Sequence, residues 1–490
     1  MKPAISFILL LALVPTVSMA EDRLSLNGLW EIQTRTDRLE DSPPMGGWEE
    51  TPIRIPSAFN GNGFTNGNGP DFRLFPSYPE SWDEALAAWH RREVTIPEDW
   101  TDGRIFLRFE ASHLHTVVFL NGIRVGENFD GFLPFEFDLT GLVSPGETDT
   151  IVAGVESSLL LGEGEHGRIP APHGSFWGRE NAGIWGDVSL VRRPSVRLGP
   201  PKIQTSVRDS TASLTFEVKN DTGLNLNPRI AYEIFEASSG HSVLSGEAGE
   251  VSVSLSGSAT KEIRLDWGDA ELWSPQHPFL YRLETRLLLG EDEVNSVSTR
   301  FGFREFELID GKFYLNGVKT RLLADSWHWM GISYQSPEYA REWFQLAKKS
   351  NLNCIRLHAQ VYPEYFLDLA DEMGLMIIGE SAQWGSATDL LYSDKGWRRL
   401  REQWERILLR DRNHPSAVMW SLANEIIPGS NLDPYDELDG MDEYRAEMGR
   451  LADLVNHLDG TRPLYAEGDF DGYGVFDVIS FHYPGPQFGE

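Results

Sequence analysis

The chain holds a single cysteine, Cys354, among 490 residues. One thiol allows no internal disulfide and no cysteine-built metal site. Set in an apolar run, it reads as a small core residue. Cations are scarce as well: Lys and Arg number 43 against 74 Asp and Glu, a formal net charge of −31. The acidic residues are spread rather than blocked, so they keep the protein soluble and repel polyanions. That balance excludes nucleic acid and anionic lipid as partners. Beyond residue 20 there is no apolar run long enough to cross a bilayer, so no membrane-spanning helix is expected. Residues 1–20, "MKPAISFILLLALVPTVSMA", join Lys2, an apolar stretch from Ile5 to Val14, and small Ser18 and Ala20. This is the pattern of a secretory signal peptide. No cysteine follows Ala20, which argues against a lipidated N-terminus. The expected location is periplasmic or secreted.

What is present allows packed cores: 41% hydrophobic residues, 11% aromatic and 16 Trp. At ~150 residues per domain, roughly three domains are expected. Residues 21–194 read as β throughout, with "RIFLRFEAS", "TVVFLNGIRVGE", "TDTIVAGVES" and "GDVSLVRR" as strands. Asn121-Gly122 marks a tight hairpin, because both residues tolerate positive φ. Residues 61–70 are a Gly/Asn-rich loop. The whole suits a large β-sandwich of the jelly-roll kind. Residues 195–302 carry shorter strands at the spacing of an immunoglobulin-like sandwich, with the Ser/Gly-rich stretch 238–258 as hairpin loops.

From residue 303 to 490 strands and helices alternate. "TRLLAD", "NCIRLHA", "LMIIGE", "AVMWSLANE", "PLYAE" and "DVISFHYP" read as six strands. "PEYAREWFQLAKKS" is a helix with Tyr339, Trp343, Leu346 and Ala347 on one face. Pro363 and Gly374 bound a second helix. Short apolar strands alternating with helices predict a parallel sheet, best read as a (β/α)8 TIM barrel with only about six of its strands present.

Barrel chemistry sits at the C-terminal ends of strands. Those ends carry Asp325, Arg356 with His358, Glu380, Asn424 with Glu425, Glu467, and His482 with Tyr483. Carboxylates, imidazoles and an arginine at one rim, with no metal-ligand spacing, suit acid/base or glycosyl chemistry without a cofactor. Retaining glycoside hydrolysis needs two carboxyl groups ~5–5.5 Å apart, one as acid and one as nucleophile. Structural readings stand beside the chemical ones. Glu425 could cap a following helix. Arg356 could be a structural ion-pair partner, and Glu380 either faces the pocket or pairs with a neighbouring strand's arginine. His358 and His482 either touch sugar or only line the rim. Trp327, Trp329 and Trp384 either stack on substrate or pack. His414, before the fourth strand, reads as structural, and Glu467 and Asp469 as solvated loop charges.

The run "RDRNHPSAVMWSLANE", Arg410 to Glu425, resembles the acid/base signature of glycoside hydrolase family 2, which includes β-galactosidases, β-glucuronidases and β-mannosidases. Asp411, Arg412, Asn413, His414, Pro415, Trp420, Ser421, Asn424 and Glu425 fall at the signature's positions, and Ala417 is smaller than usual. "LNGLWEI", "NAGIWGDVSLV", "LWSPQHPFLYRL" and "FGFREFELIDGKFYLNGV" are similar to its sandwich domains and barrel approach, from residue 24 onward. The resemblance implies a retaining exo-β-glycosidase acting on terminal β-linked sugars of an oligosaccharide or glycan. Glu425 would be general acid/base, Asn424 would bind the hydroxyl beside the anomeric carbon, and Arg356 and Tyr483 would orient the nucleophile. His328, His358, Glu380, Trp384 and His482 are further candidate substrate contacts. The family's nucleophile is a glutamate ending a seventh strand, which this sequence does not reach. Glu490 is a poor substitute, since no crossover helix separates it from the sixth strand. The expectation is a C-terminally truncated chain inactive on aryl β-glycosides. The alternative is an inactive carbohydrate-binding or scaffold protein. "ADSWHWMGI" and "RLHAQVYP" depart from the family's usual loops, leaving the sugar open.

Overall fold

The computed structural model describes residues 21–60, 78–163, 169–174, 182–328, 336–384, 393–426, 441–468 and 474–480. The signal-like segment 1–20, the loop at 61–70, Trp329, Asp469, His482, Tyr483 and Glu490 lie outside the described residues.

The first domain packs two antiparallel sheets face to face. One orders Asp22–Ser25, Val188–Arg193, Arg104–Phe109 and Phe135–Asp138; the other has six strands, with Thr148–Glu156 between Ala87–Thr95 and His115–Leu120. Alternation explains the placement. In Arg104–Phe109, Ile105, Leu107 and Phe109 are buried while the residues between them are half-exposed. Asn121 and Gly122 turn with φ of 50° and 82°, the tight hairpin their sequence predicts.

The second domain is a smaller sandwich of two four-stranded sheets. Here the Ser/Gly-rich stretch differs from expectation: Ser242–Glu250 is a strand, not a loop. It lies at the edge of its sheet and pairs only with Arg229–Glu236. An edge position with bulges tolerates the glycines that a central strand would not.

A three-stranded antiparallel element, Phe306–Ile309, Lys312–Leu315 and Val318–Thr320, leads into the barrel. Its Phe306 and Leu315 pack with Cys354, Met376, Val418 and Met419 to form the barrel floor. Five parallel strands follow, each beside its predecessor: β1 Ala324–Trp327, β2 Cys354–Leu357, β3 Met376–Glu380, β4 Ala417–Asn424 and β5 Leu464–Glu467. Helices α1 Pro337–Lys349, α2 Glu364–Met373, α3 Asp394–Asp411 and α4 Met441–Leu458 connect them. This singly wound order is that of a TIM barrel. Of the sixth expected strand, Asp477 lies beside β5, where its N–H donates to the Leu464 carbonyl at 3.1 Å. Residues 481–484 fall outside the described residues.

Three local details correct the sequence reading. β1 begins at Ala324 rather than Thr320, because the Asn353 side-chain oxygen takes the Leu323 N–H at 2.8 Å before strand pairing starts. Asp325 is therefore inside β1 and exposed, with its carboxylate on the Ser326 N–H; it does not reach the rim. The inner face of α1 is Ala340, Phe344 and Ala347, while Leu346 is 56% exposed, so the apolar stripe is turned by one residue. The Ser336 hydroxyl accepts the Tyr339 N–H at 3.2 Å and sets where that helix starts.

β4 is buried over its whole length. The Trp420 indole donates to Asp459 at 2.8 Å and meets Trp404 edge-on at 5.9 Å. A Cβ at Gly379 on β3 would come within 2.4 Å of the Trp420 ring, so only glycine lets the two strands pair there. The first domain docks on this half of the barrel. Phe132, Leu133 and Trp185 share the barrel's apolar core. The Gln403 side chain donates to Asp130 at 3.0 Å and accepts the Ala382 N–H at 2.8 Å.

Candidate active site

The C-terminal ends of β2 to β5 converge on Arg356. Its side chain is 9% exposed, and its guanidinium forks onto Glu380 with N–O distances of 2.7 and 2.8 Å. The same guanidinium donates to the Asn424 side-chain oxygen, and the Glu467 carboxylate stands 3.8 Å away. Burial works against the charge on Arg356, but Glu380, Tyr465 and Glu467 outweigh it, and its proton is held more tightly than usual.

Glu380 resolves the alternative left open by the sequence. Its side chain has 0% exposure, and it also accepts the Ala359 N–H. A carboxylate so enclosed and forked onto Arg356 holds that arginine in place at the rim. Ala359 holds φ of 45° to present that N–H.

Asn424 is wholly buried. Its amide receives Arg356 on one side and donates to Glu425 Oε2 at 3.2 Å on the other. The Asn424 N–H is fixed by the Gln383 carbonyl at 3.0 Å. Glu425 is half-buried and follows the strand with φ of 53°, its N–H on the Glu467 carbonyl at 2.7 Å. This left-handed turn, rare for a residue with a long side chain, carries the chain out of the sheet at that point.

His328 and His358 stack with ring centres 4.3 Å apart. Burial, then the nearby Arg356 charge, lowers the His328 imidazole and favours its neutral form. The His358 N–H donates to the Trp327 carbonyl at 3.0 Å, which fixes the turn after β2. Trp384 is half-buried and bridges in parallel to Asn424. Trp327 packs: it is 3% exposed and meets Trp343, Phe344 and Phe366 edge-on.

Glu467 overturns its reading as a solvated loop charge. It is the last residue of β5, with a side chain only 19% exposed beside Arg356. Its place at a strand end was legible in the sequence; what the sequence did not display was its neighbour Arg356. His414 lies at the opposite end of the barrel, buried, with Nδ1 2.6 Å from Asp371. Asn413 bonds Pro201 and Ile203 of the second domain. The signature's first half is thus architecture, and its second half reaches the rim. Asp368, Asp371 and His414 have metal-ligand spacing. Arg300 already contacts both aspartates, however, so that group is neutralised within the protein.

The fold and this rim define the class: a multidomain TIM-barrel protein built like a glycosidase. Family models agree along the chain. The sugar binding domain of glycosyl hydrolases family 2 matches residues 24–194, the family's middle domain 196–304, and its TIM barrel domain 306–484. The chain belongs to glycosyl hydrolases family 2. It is 30% identical over 463 residues to a β-glucuronidase of Felis catus, covering 86% of this chain and 66% of that protein. It is 25% identical over 404 residues to a β-galactosidase of Thermoanaerobacter pseudethanolicus, covering 80% and 50%. The crystal structure of a Bacteroides uniformis β-glucuronidase superposes with a TM-score of 0.75 at 21% identity, over 94% of this chain and 55% of that one, a likeness of fold. The chain thus spans from half to two-thirds of the length of these curated relatives.

Proposed function

We propose that the protein is a retaining exo-β-glycosidase that hydrolyses terminal β-linked sugars, with Glu425 as general acid/base. One observation carries this reading: Glu425 leaves the end of β4 tied to Asn424, which Arg356 holds in turn. In this scheme Glu425 protonates the departing glycosidic oxygen, then takes the proton from the incoming water. Asn424 faces the hydroxyl beside the anomeric carbon. Glu380 and Glu467 both turn to Arg356, so neither is assigned as nucleophile. By the family's pattern that role belongs to a glutamate on a seventh strand, beyond the strands described. His328, His358 and Trp384 are the proposed pocket wall among the described residues. The pattern of residues 1–20 supports export.

A second reading, sugar binding without turnover, is favoured by the two other rim carboxylates, Glu380 and Glu467, both turning to Arg356. One experiment separates the two. The protein as encoded is assayed on aryl β-glucuronides, β-galactosides and β-mannosides with good and poor leaving groups. Under the first reading, Glu425→Ala loses poor leaving groups by 100-fold or more, about the 10²–10⁴ contributed by a general acid. It keeps the first step on good ones, and azide rescues turnover by forming a glycosyl azide. Saturable sugar binding with no hydrolysis by the unmutated protein favours the second reading.

A further inference from the structure

The loops preceding β4 and β5 lie at the end of the barrel away from Glu425, against the second domain. Between them is a cavity of about 650 Å³ whose lining includes Arg208, Arg264, Arg304, Arg412 and Arg462. Five arginines at one cavity stand out in a chain with 43 basic and 74 acidic residues.

Their circumstances differ. Arg208 is exposed and bonds Glu305 and Glu307, and Arg264 faces Asp209 at 3.3 Å, so these charges are matched. Arg462 is buried on Asp459 at 2.5 Å. Arg304 and Arg412 have no ion pair among the described residues. Arg304 is 5% exposed. Its Nε and Nη2 donate to the carbonyls of Pro415 and Ala417 at 3.1 and 2.5 Å, which leaves Nη1 without a hydrogen bond among the described residues. The Arg412 guanidinium makes one long bond, 3.4 Å to the Pro200 carbonyl, and its Nε is buried without a partner. Asp477 also lines the cavity, and its carboxylate accepts the Leu464 N–H at 2.9 Å.

A role as struts explains Arg304, which pins two barrel carbonyls, but not the vacant donor of Arg412. The Arg304 guanidinium is removed from water without a carboxylate, which is costly, and the half-exposed Arg412 keeps a buried Nε that nothing meets. Burial, then the neighbouring Arg462, brings Arg304 down to about 9, and burial lowers Arg412. An oxyanion would relieve both, since the guanidinium fork matches phosphate and sulfate geometry.

We propose that this cavity binds a small oxyanion, phosphate or sulfate, either free or borne on a saccharide, through Arg304 and Arg412. The cavity is far larger than one such ion and falls within the usual ~300–1,000 Å³ of small-molecule sites, so a sugar carrying the group fits as well. The proposal does not depend on the hydrolytic reading.

The test is calorimetric and thermal titration of the protein as encoded. The probes are sodium phosphate, sodium sulfate, glucose 6-phosphate and glucose 6-sulfate, with sodium chloride holding ionic strength constant. At least one probe is expected to bind saturably and raise Tm beyond chloride. Arg412→Gln should weaken it tenfold or more, and Arg208→Gln, at the matched outer charge, less than threefold. Arg304→Lys, which keeps the charge and loses the fork, should also weaken it; if that variant does not fold, Arg412→Gln decides. Tighter binding of the sugar esters assigns the saccharide-borne group, and equal or weaker binding assigns the free ion. No saturable effect beyond chloride, or affinity unchanged in Arg412→Gln, overturns the proposal.

Discussion

Arg356 and Glu380 meet across adjacent strands through two parallel hydrogen bonds of 2.7 and 2.8 Å, with the carboxylate fully enclosed. Around this pair the rim is assembled: Asn424 leans on the same guanidinium, and Glu467 stands beside it.

Removing one partner strands the other. Glu380→Ala is expected to lower unfolding stability by about 3–5 kcal/mol, measured by urea denaturation. Combining Glu380→Leu with Arg356→Met should recover much of that loss, because no buried charge then remains. A single-variant loss under about 1 kcal/mol, the level of solvated pairs, would contradict the burial described here.

Acid should destabilise the first domain early. Burial alone would raise the carboxyls of Glu136 and Glu156. At Glu136, Arg193 and Arg108 outweigh burial; at Glu156, His115 and Arg38 do so, and each falls to about 2. A depressed folded-state value gives stability that is present above the unfolded value of about 4.3 and lost as pH falls toward 2, on the order of 2–3 kcal/mol per group. Circular dichroism melts between pH 5 and pH 2 should show this slope, and Glu136→Gln and Glu156→Gln should flatten it.

The opposite sign holds at His414. Burial by itself pulls the imidazole down, but the charge and hydrogen bond of Asp371 prevail, and the group sits above its ordinary value. The native state then holds the proton more tightly than the unfolded chain. That contribution is complete below about pH 6.5 and vanishes as pH rises through the raised value. Urea midpoints should decline between pH 6 and pH 9, and His414→Gln should remove that decline.

The dock between the first domain and the barrel can be weighed at Asp130, whose Oδ1 takes the N–H groups of Phe132 and Leu133 and whose Oδ2 takes Gln403. Asp130→Ala leaves these buried donors unmet, at about 1–3 kcal/mol. A double-mutant cycle with Gln403→Leu should show coupling of at least about 0.5 kcal/mol; simple additivity would mean the two domains are not joined there.

Much of this was legible in the sequence where periodicity or an unbroken motif spoke. The hairpin at Asn121-Gly122, the cap at Gly374 and the polar end of β4 all follow from local chemistry. What escaped depended on distant partners. Nothing near Glu467 in the sequence announces Arg356, more than a hundred residues earlier. Similarly, Asn353 ends the approach to β1 with a side-chain oxygen that takes over a backbone bond, a substitution no strand pattern displays. The face of α1 slipped by one residue because Ala340, a small residue of little hydrophobic weight, is fully covered together with Phe344.

The turn at Glu425 has an implication for how this position can change. A φ of 53° disfavours most residues with a β-carbon, by roughly 1–2 kcal/mol, and suits glycine best and asparagine next. A library sorted only for thermal tolerance should therefore drift toward Gly or Asn here, while one sorted for turnover should retain Glu. Heat resistance and chemistry would then select different letters at a single codon.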